Sequence, residues 1–178
     1  MTATLDSTPV PLTAADDVIN QLAGIAPDSR LGLLRTQRPE IVRYAEGSYR
    51  ALLEPADVGN VSTVERDLIA LRVAVLTGSA PLAAWHQARL REAGVKDDVL
   101  LAVAENLTSE QLSPREQMIL RHVDRLTKTP ATATAAHLAE LTAVGLTPRD
   151  IVVISQWIAF LSFQMRTLVG LRILGEDK

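Results

Sequence analysis

Cysteine is absent from the 178-residue sequence, and with it go disulfides, thiolate nucleophiles and thiolate metal sites. Aromatic residues are scarce at 3% while hydrophobic residues reach 47%, so a core must be assembled from Leu, Val, Ile and Ala. That excess of aliphatic side chains also leaves apolar surface for an oligomer to cover. Positive charge is in short supply. With a formal net charge of -3 and a pI near 5.6, no basic stripe is available to neutralise phosphates, which argues against a nucleic-acid partner. The first basic residue is Arg30 and no sustained apolar run precedes it, so the N-terminus does not read as a secretory signal. The longest apolar stretch, Ile151 to Phe163, falls short of the roughly 20 residues of a spanning helix and is interrupted by Ser155 and Gln156. A soluble cytoplasmic protein with no membrane partner is expected. His86, His122 and His137 are widely separated and show no paired metal-ligand spacing, so neither a metal nor another cofactor is implied.

What is present is helical punctuation. Ser62-Thr63-Val64-Glu65, Ser113-Pro114-Arg115-Glu116 and Thr147-Pro148-Arg149-Asp150 each put a hydroxyl at the N-cap and an acid three residues on. The two side chains can then satisfy backbone N–H groups that a helix start leaves open. Gly78, Gly94 and Gly145 stand just past periodic runs, where helices stop. The pattern predicts helices near 14–22, 29–36, 39–53, 63–77, 80–93, 97–106, 114–127, 134–143 and 148–174, after a disordered tail over 1–12. No strand pattern competes. The expected fold is all-α and a single globular domain, with 13–60 as an N-terminal helical extension and 61–178 as its core.

Three stretches carry chemistry. On the helix over 63–77, Asp67, Ala70 and Ala74 form a narrow stripe where alanines admit a close neighbour. Asp67 is then either the polar head of that contact or a solvent-facing acid favoured by the helix dipole. On the helix over 80–93, with Ser79 as N-cap, Leu82 and His86 share an inward side, while Arg89 and Arg91 lie elsewhere. His86 reads as a hydrogen-bonded core residue or as an acid–base group. A Ser79–His86 nucleophile pair is excluded, since seven residues of helix separate them by about 10 Å. On the last helix, Ser155, Ala159, Ser162, Arg166 and Gly170 make a stripe of small residues with one guanidinium. It suits a close helix crossing, with Arg166 paired to an acid or snorkelling outward, or a pocket wall that holds a carboxylate through Arg166.

The run VSTVERDLIALRVAVLTGSAPLAAWHQARLREAGVKDDVL resembles the core of the carboxymuconolactone decarboxylase and alkylhydroperoxidase D superfamily. There, an acid-bearing helix leads through Gly into Cys-x-x-Cys-x-x-x-His and a second helix. LSPREQMILRHVDRLTKTP and GLTPRDIVVISQWIAFLSFQMRTLVGL are similar to the family's closing helices, so the resemblance spans roughly residues 40–174. The segment from Asp17 to Pro55 resembles the N-terminal extension of a cysteine-poor branch. Position by position, the family's histidine falls on His86, its acid on Asp67 (with Glu65 nearby), and its two cysteines on Ser79 and Leu82.

The resemblance implies an all-helical bundle, assembly as trimers or hexamers, and a site near subunit contacts. Serine cannot be oxidised to a sulfenic acid, so thiol peroxidase activity is excluded. Two functions remain. One is cofactor-free proton transfer on a small carboxylate, with His86 as acid–base, Asp67 orienting it, and Arg166, Ser79 and Leu82 against substrate. The other is a non-catalytic small-molecule binder or structural subunit, pairing with itself or with a cysteine-containing paralogue.

Overall fold

Helix α4 (Thr63–Thr77) is apolar nearly all the way round, and a helix of that kind belongs in the middle of a protein. In the computed structural model, which describes residues 17–105 and 107–176, it is the hub. Around it pack α3 (Pro39–Leu53), α5 (Ala80–Glu92), α6 (Asp97–Glu105), α7 (Pro114–Lys128) and α9 (Pro148–Glu176). Helices α1 (Val18–Ala23), α2 (Arg30–Arg35) and α8 (Ala135–Ala143) complete the bundle, with a single 3-10 turn at Pro130–Thr132. The nine predicted helices are all found among the described residues, and no strand accompanies them. The tail expected over 1–12 lies outside the described residues.

The expected caps form. Ser62 and Glu65, and likewise Ser113 and Glu116, make reciprocal capping boxes, while Asp150 accepts from both the backbone and the hydroxyl of Thr147. Gly78 sits in the left-handed region at φ 68°, and the Ser79 amide reaches back 2.9 Å to the Ala74 carbonyl. That turn folds α5 back along α4, so Asp67 near the start of one helix meets residues near the end of the other.

Buried arginines tie the elements together. Arg72 grips Asp124 of α7 through two bonds of 2.6 and 2.7 Å and donates to the Val103 and Ala104 carbonyls of α6. Arg66 donates to the carbonyls of Leu52, Val58 and Val61, joining the end of α3 and its following loop to the hub. The N-terminal extension is thus fastened to the core. Gly32 of α2 is needed for close approach, because a Cβ there would run into the carbonyls of Ala26 and Pro27.

Helix α9 corrects one expectation. It runs 29 residues and, by length and composition, is long and apolar enough to cross a membrane. The apolar stretch read from sequence was shorter because Gln164, Arg166 and Arg172 interrupt it beyond Phe163 without ending the helix. In the fold its inward side, with Ile154, Trp157, Leu161 and Leu168 buried, packs on α1, α3 and α4.

Candidate functional site

His86 and Asp67 come together. The imidazole Nδ1 lies 2.6 Å from Asp67 Oδ1, and both groups are buried, with exposures of 0% and 4%. The solvent-facing alternative for Asp67 is overturned: folding α5 back on α4 carries the acid under the next helix. Arg89 joins from one turn beyond His86, donating from Nε to Asp67 at 3.0 and 3.3 Å and pairing with Glu54 at 2.8 Å. The sequence reading had turned Arg89 away, since it counted only apolar neighbours when choosing the inward side of α5.

Burial holds the His86 pKa below its ordinary value; the Asp67 bond opposes this and the Arg89 charge reinforces it. The ring is therefore neutral at pH 7, with Nδ1–H donating to Asp67 and a lone pair on Nε2. That Nε2 is buried and has no hydrogen-bond partner. For Arg89, burial lowers the pKa but the Asp67 bond and charge outweigh it, so the guanidinium is held above its usual value.

An aromatic cluster encloses the network. Trp157 meets the His86 ring edge-on at 6.3 Å and stacks on Phe160 at 5.8 Å. Trp85 donates from Nε1 to the Tyr49 hydroxyl at 3.0 Å, and burial pushes the Tyr49 pKa up to about 12. Sequence reasoning did not single out Tyr49, Trp85 or Trp157. With so few aromatics in the chain, their convergence from α3, α5 and α9 had no local signal.

Ser79 stands apart from this network. It occupies the N-cap position of α5, as expected, but its side chain makes no capping bond. It borders a cavity of about 350 Å³ between α1, the start of α5 and the end of α9, lined by Leu22, Ile25, Met165, Leu168 and Arg172 among others. His86 and Leu82 do not line this cavity. Leu82 is fully buried, one helical turn from His86 and one turn from Ser79. Arg166 also lies elsewhere: it is exposed and donates to the Ser162 carbonyl of its own helix at 3.2 Å. The stripe that carries it, with Ala159 and Gly170, faces outward rather than into a pocket. The basic residue at the cavity is Arg172, nearly two turns further on.

The chain is an all-helical bundle in which Asp67, on the first helix of a hairpin, pairs with His86 midway along the second. The carboxymuconolactone decarboxylase family matches residues 39–125. Among solved structures, the chain resembles an AhpD-core peroxidase-related protein from Ralstonia eutropha JMP134, at 22% identity over 89% of this chain and 86% of that one, with a TM-score of 0.69. A putative antioxidant defence protein AhpD from Agrobacterium tumefaciens is 21% identical over 78% and 92% of the two chains, with a TM-score of 0.68. The debrominase Bmp8, solved in complex with 2,3,4-tribromopyrrole, is 17% identical over 94% and 91%, also at 0.68. A comparison with curated proteins gives no match. The family match covers 87 of the 178 residues, the solved structures share the fold, and the chain carries no cysteine.

Proposed function

We propose that this chain is a sulfur-free, non-catalytic member of its family that binds a small, mostly apolar carboxylate in the cavity beside Ser79. The observation that carries this reading is the separation of cavity from imidazole. A guest at Ser79 meets aliphatic walls and Arg172, whose guanidinium also pairs with Glu176 at 2.9 Å, and neither Leu82 nor His86 lines the space. A general base must come within hydrogen-bond reach of the proton it takes, and no such reach exists from this cavity. The unpartnered Nε2 fits the same history. Residues four apart on a helix are neighbours, so a thiol at position 82 would lie where it could donate toward His86, whereas leucine offers only methyl groups. A buried acceptor left in that state costs about 1–3 kcal/mol. The cavity also lies at the lower end of the size range of small-molecule sites, roughly 300–1,000 Å³.

Calorimetric titration with octanoate tests this. The wild type should bind it; Met165→Trp, which fills the cavity, should lose binding with an unchanged unfolding midpoint; Arg172→Gln should weaken octanoate but not octanol. Equal octanoate binding by wild type and Met165→Trp sinks the proposal.

One observation favours a second reading, proton transfer on such a carboxylate. A neutral histidine oriented by a carboxylate at 2.6 Å, with its other nitrogen unengaged, is the arrangement a general base requires. Under it, turnover of a carboxylated unsaturated lactone is detectable and His86→Ala abolishes it while the helical spectrum is retained. Turnover that survives this substitution removes His86 from the chemistry.

A further inference from the structure

The two buried arginines of α4 are compensated differently. Arg72 has the Asp124 carboxylate, whereas Arg66, only 3% exposed, forms no ion pair with any described residue. Its partners are the carbonyls of Leu52, Val58 and Val61. These take three of the five N–H groups of the guanidinium and leave one on each terminal nitrogen. A charge taken out of water ordinarily has a counter-charge beside it. Burial pulls the Arg66 pKa below its ordinary value, while the Glu65 and Asp150 charges oppose this. Arg66 also lines a cavity of about 250 Å³ between the end of α3, the loop that follows it and the first turns of α9. That cavity lies at the opposite end of α9 from the one beside Ser79, and the two share no lining residue.

The rest of the lining carries both signs of charge. Asp150, 5% exposed, accepts from the Asn60 amide at 3.0 Å and from the Thr147 backbone and hydroxyl at 2.8 and 2.7 Å, all on Oδ2. Its Oδ1 accepts nothing from the described residues. Arg149 and Asp57 also line the cavity and pair with each other at 3.1 Å, but both are exposed. An ion pair of that kind contributes little, so a ligand can part it at small cost. A ligand of one sign would gain from two of these four charges and be repelled by the other two, whereas one that carries both signs gains from all of them. We propose that this cavity binds a small aliphatic α-amino acid as its zwitterion. The carboxylate takes the two unengaged N–H groups of Arg66, and the ammonium donates to Oδ1 of Asp150. Leu52, Val61 and Val153 supply apolar walls for the side chain. The volume falls just under the roughly 300–1,000 Å³ of drug-sized sites, as suits a metabolite of amino-acid size. Whether the cavity beside Ser79 is occupied has no bearing on it.

Calorimetric titration of the full chain with L-leucine should show a single saturable site. 4-Methylpentanoate, which lacks the ammonium, and 3-methylbutylamine, which lacks the carboxylate, should each bind at least about tenfold more weakly, the loss of a charge-assisted hydrogen bond. Val153→Trp fills the cavity from α9 and should abolish leucine binding with unchanged helical circular dichroism. Asp150→Asn keeps an oxygen for the Thr147 cap but removes the charge. It should weaken leucine about tenfold and leave 4-methylpentanoate as it was. No leucine binding by the wild type overturns the proposal and leaves Arg66 as a tie between α4 and the loop after α3. Equal binding of either analogue overturns it too, as does leucine binding undiminished in Val153→Trp or Asp150→Asn. The analogues, read on the wild type, decide the matter even where a variant fails to fold.

Discussion

Ser79 and Leu82 stand three residues apart at the two positions where the family's motif carries sulfur, and their surroundings have little in common. Ser79 is half-buried, makes no capping bond and borders a cavity. Leu82 is sealed in the core beside a histidine that lacks a partner for one nitrogen. The two positions therefore serve different ends in this fold. At the helix start a small polar residue keeps the entrance open. One turn further in, leucine gains the burial of an aliphatic side chain, about 1.5–3 kcal/mol.

The comparison can be broken most forcefully at the network behind Leu82. Asp67→Ala leaves His86 without its carboxylate and Arg89 with only Glu54; breaking a buried pair costs about 3–5 kcal/mol, and Arg89 being a quarter exposed puts this site at the low end. Urea unfolding should show the loss, and a change under 1 kcal/mol would mean that the network is not what holds α4 to α5. Leu82→Ala should cost about 2–4 kcal/mol and join the cavity to the imidazole. Diethyl pyrocarbonate, which modifies neutral histidine, should then acylate His86, a group it leaves untouched in the wild type.

Acid sharpens the contrast on a smaller scale. Burial holds both His86 and His122 below the ordinary histidine pKa, so the unfolded chain binds protons that the folded chain refuses. This share of stability is fully present above about pH 6.5 and declines as the pH falls below it. The slope is at most about 1.4 kcal/mol per pH unit for each histidine. Unfolding midpoints at descending pH should follow that course, and His86→Gln should remove one of the two contributions. The smallest effect belongs to Ser79→Ala, within about 0.5 kcal/mol, because no capping bond is lost. A larger loss would show that the hydroxyl has a partner in solution.

Helix positions were legible because their signals are local. A hydroxyl three residues before an acid, or a glycine after a periodic run, acts within a single turn, and α4, α7 and α9 start where those signals stand. The pairing of Asp67 with His86 was legible only through the resemblance, which aligned both to one motif. Arg89, Tyr49 and Trp157 were not, since each reaches the network from a direction that a single helix's periodicity does not report. Arg166 stayed open between a pocket wall and an outward guanidinium for the related reason that a stripe of small residues does not say which side of a helix is inward; it is exposed.

By itself, then, the amino-acid order determined the all-helical architecture, the helix limits, and the exclusion of any chemistry that needs a thiol. Those follow from backbone capping, periodicity and elemental composition, all of which act at short range. Only the tertiary structure decided that the imidazole is walled in, that the cavity opens at Ser79 instead, and that the small-residue stripe of α9 faces outward. Each depends on how the helices are rotated against one another, a choice made by the summed packing of the whole bundle.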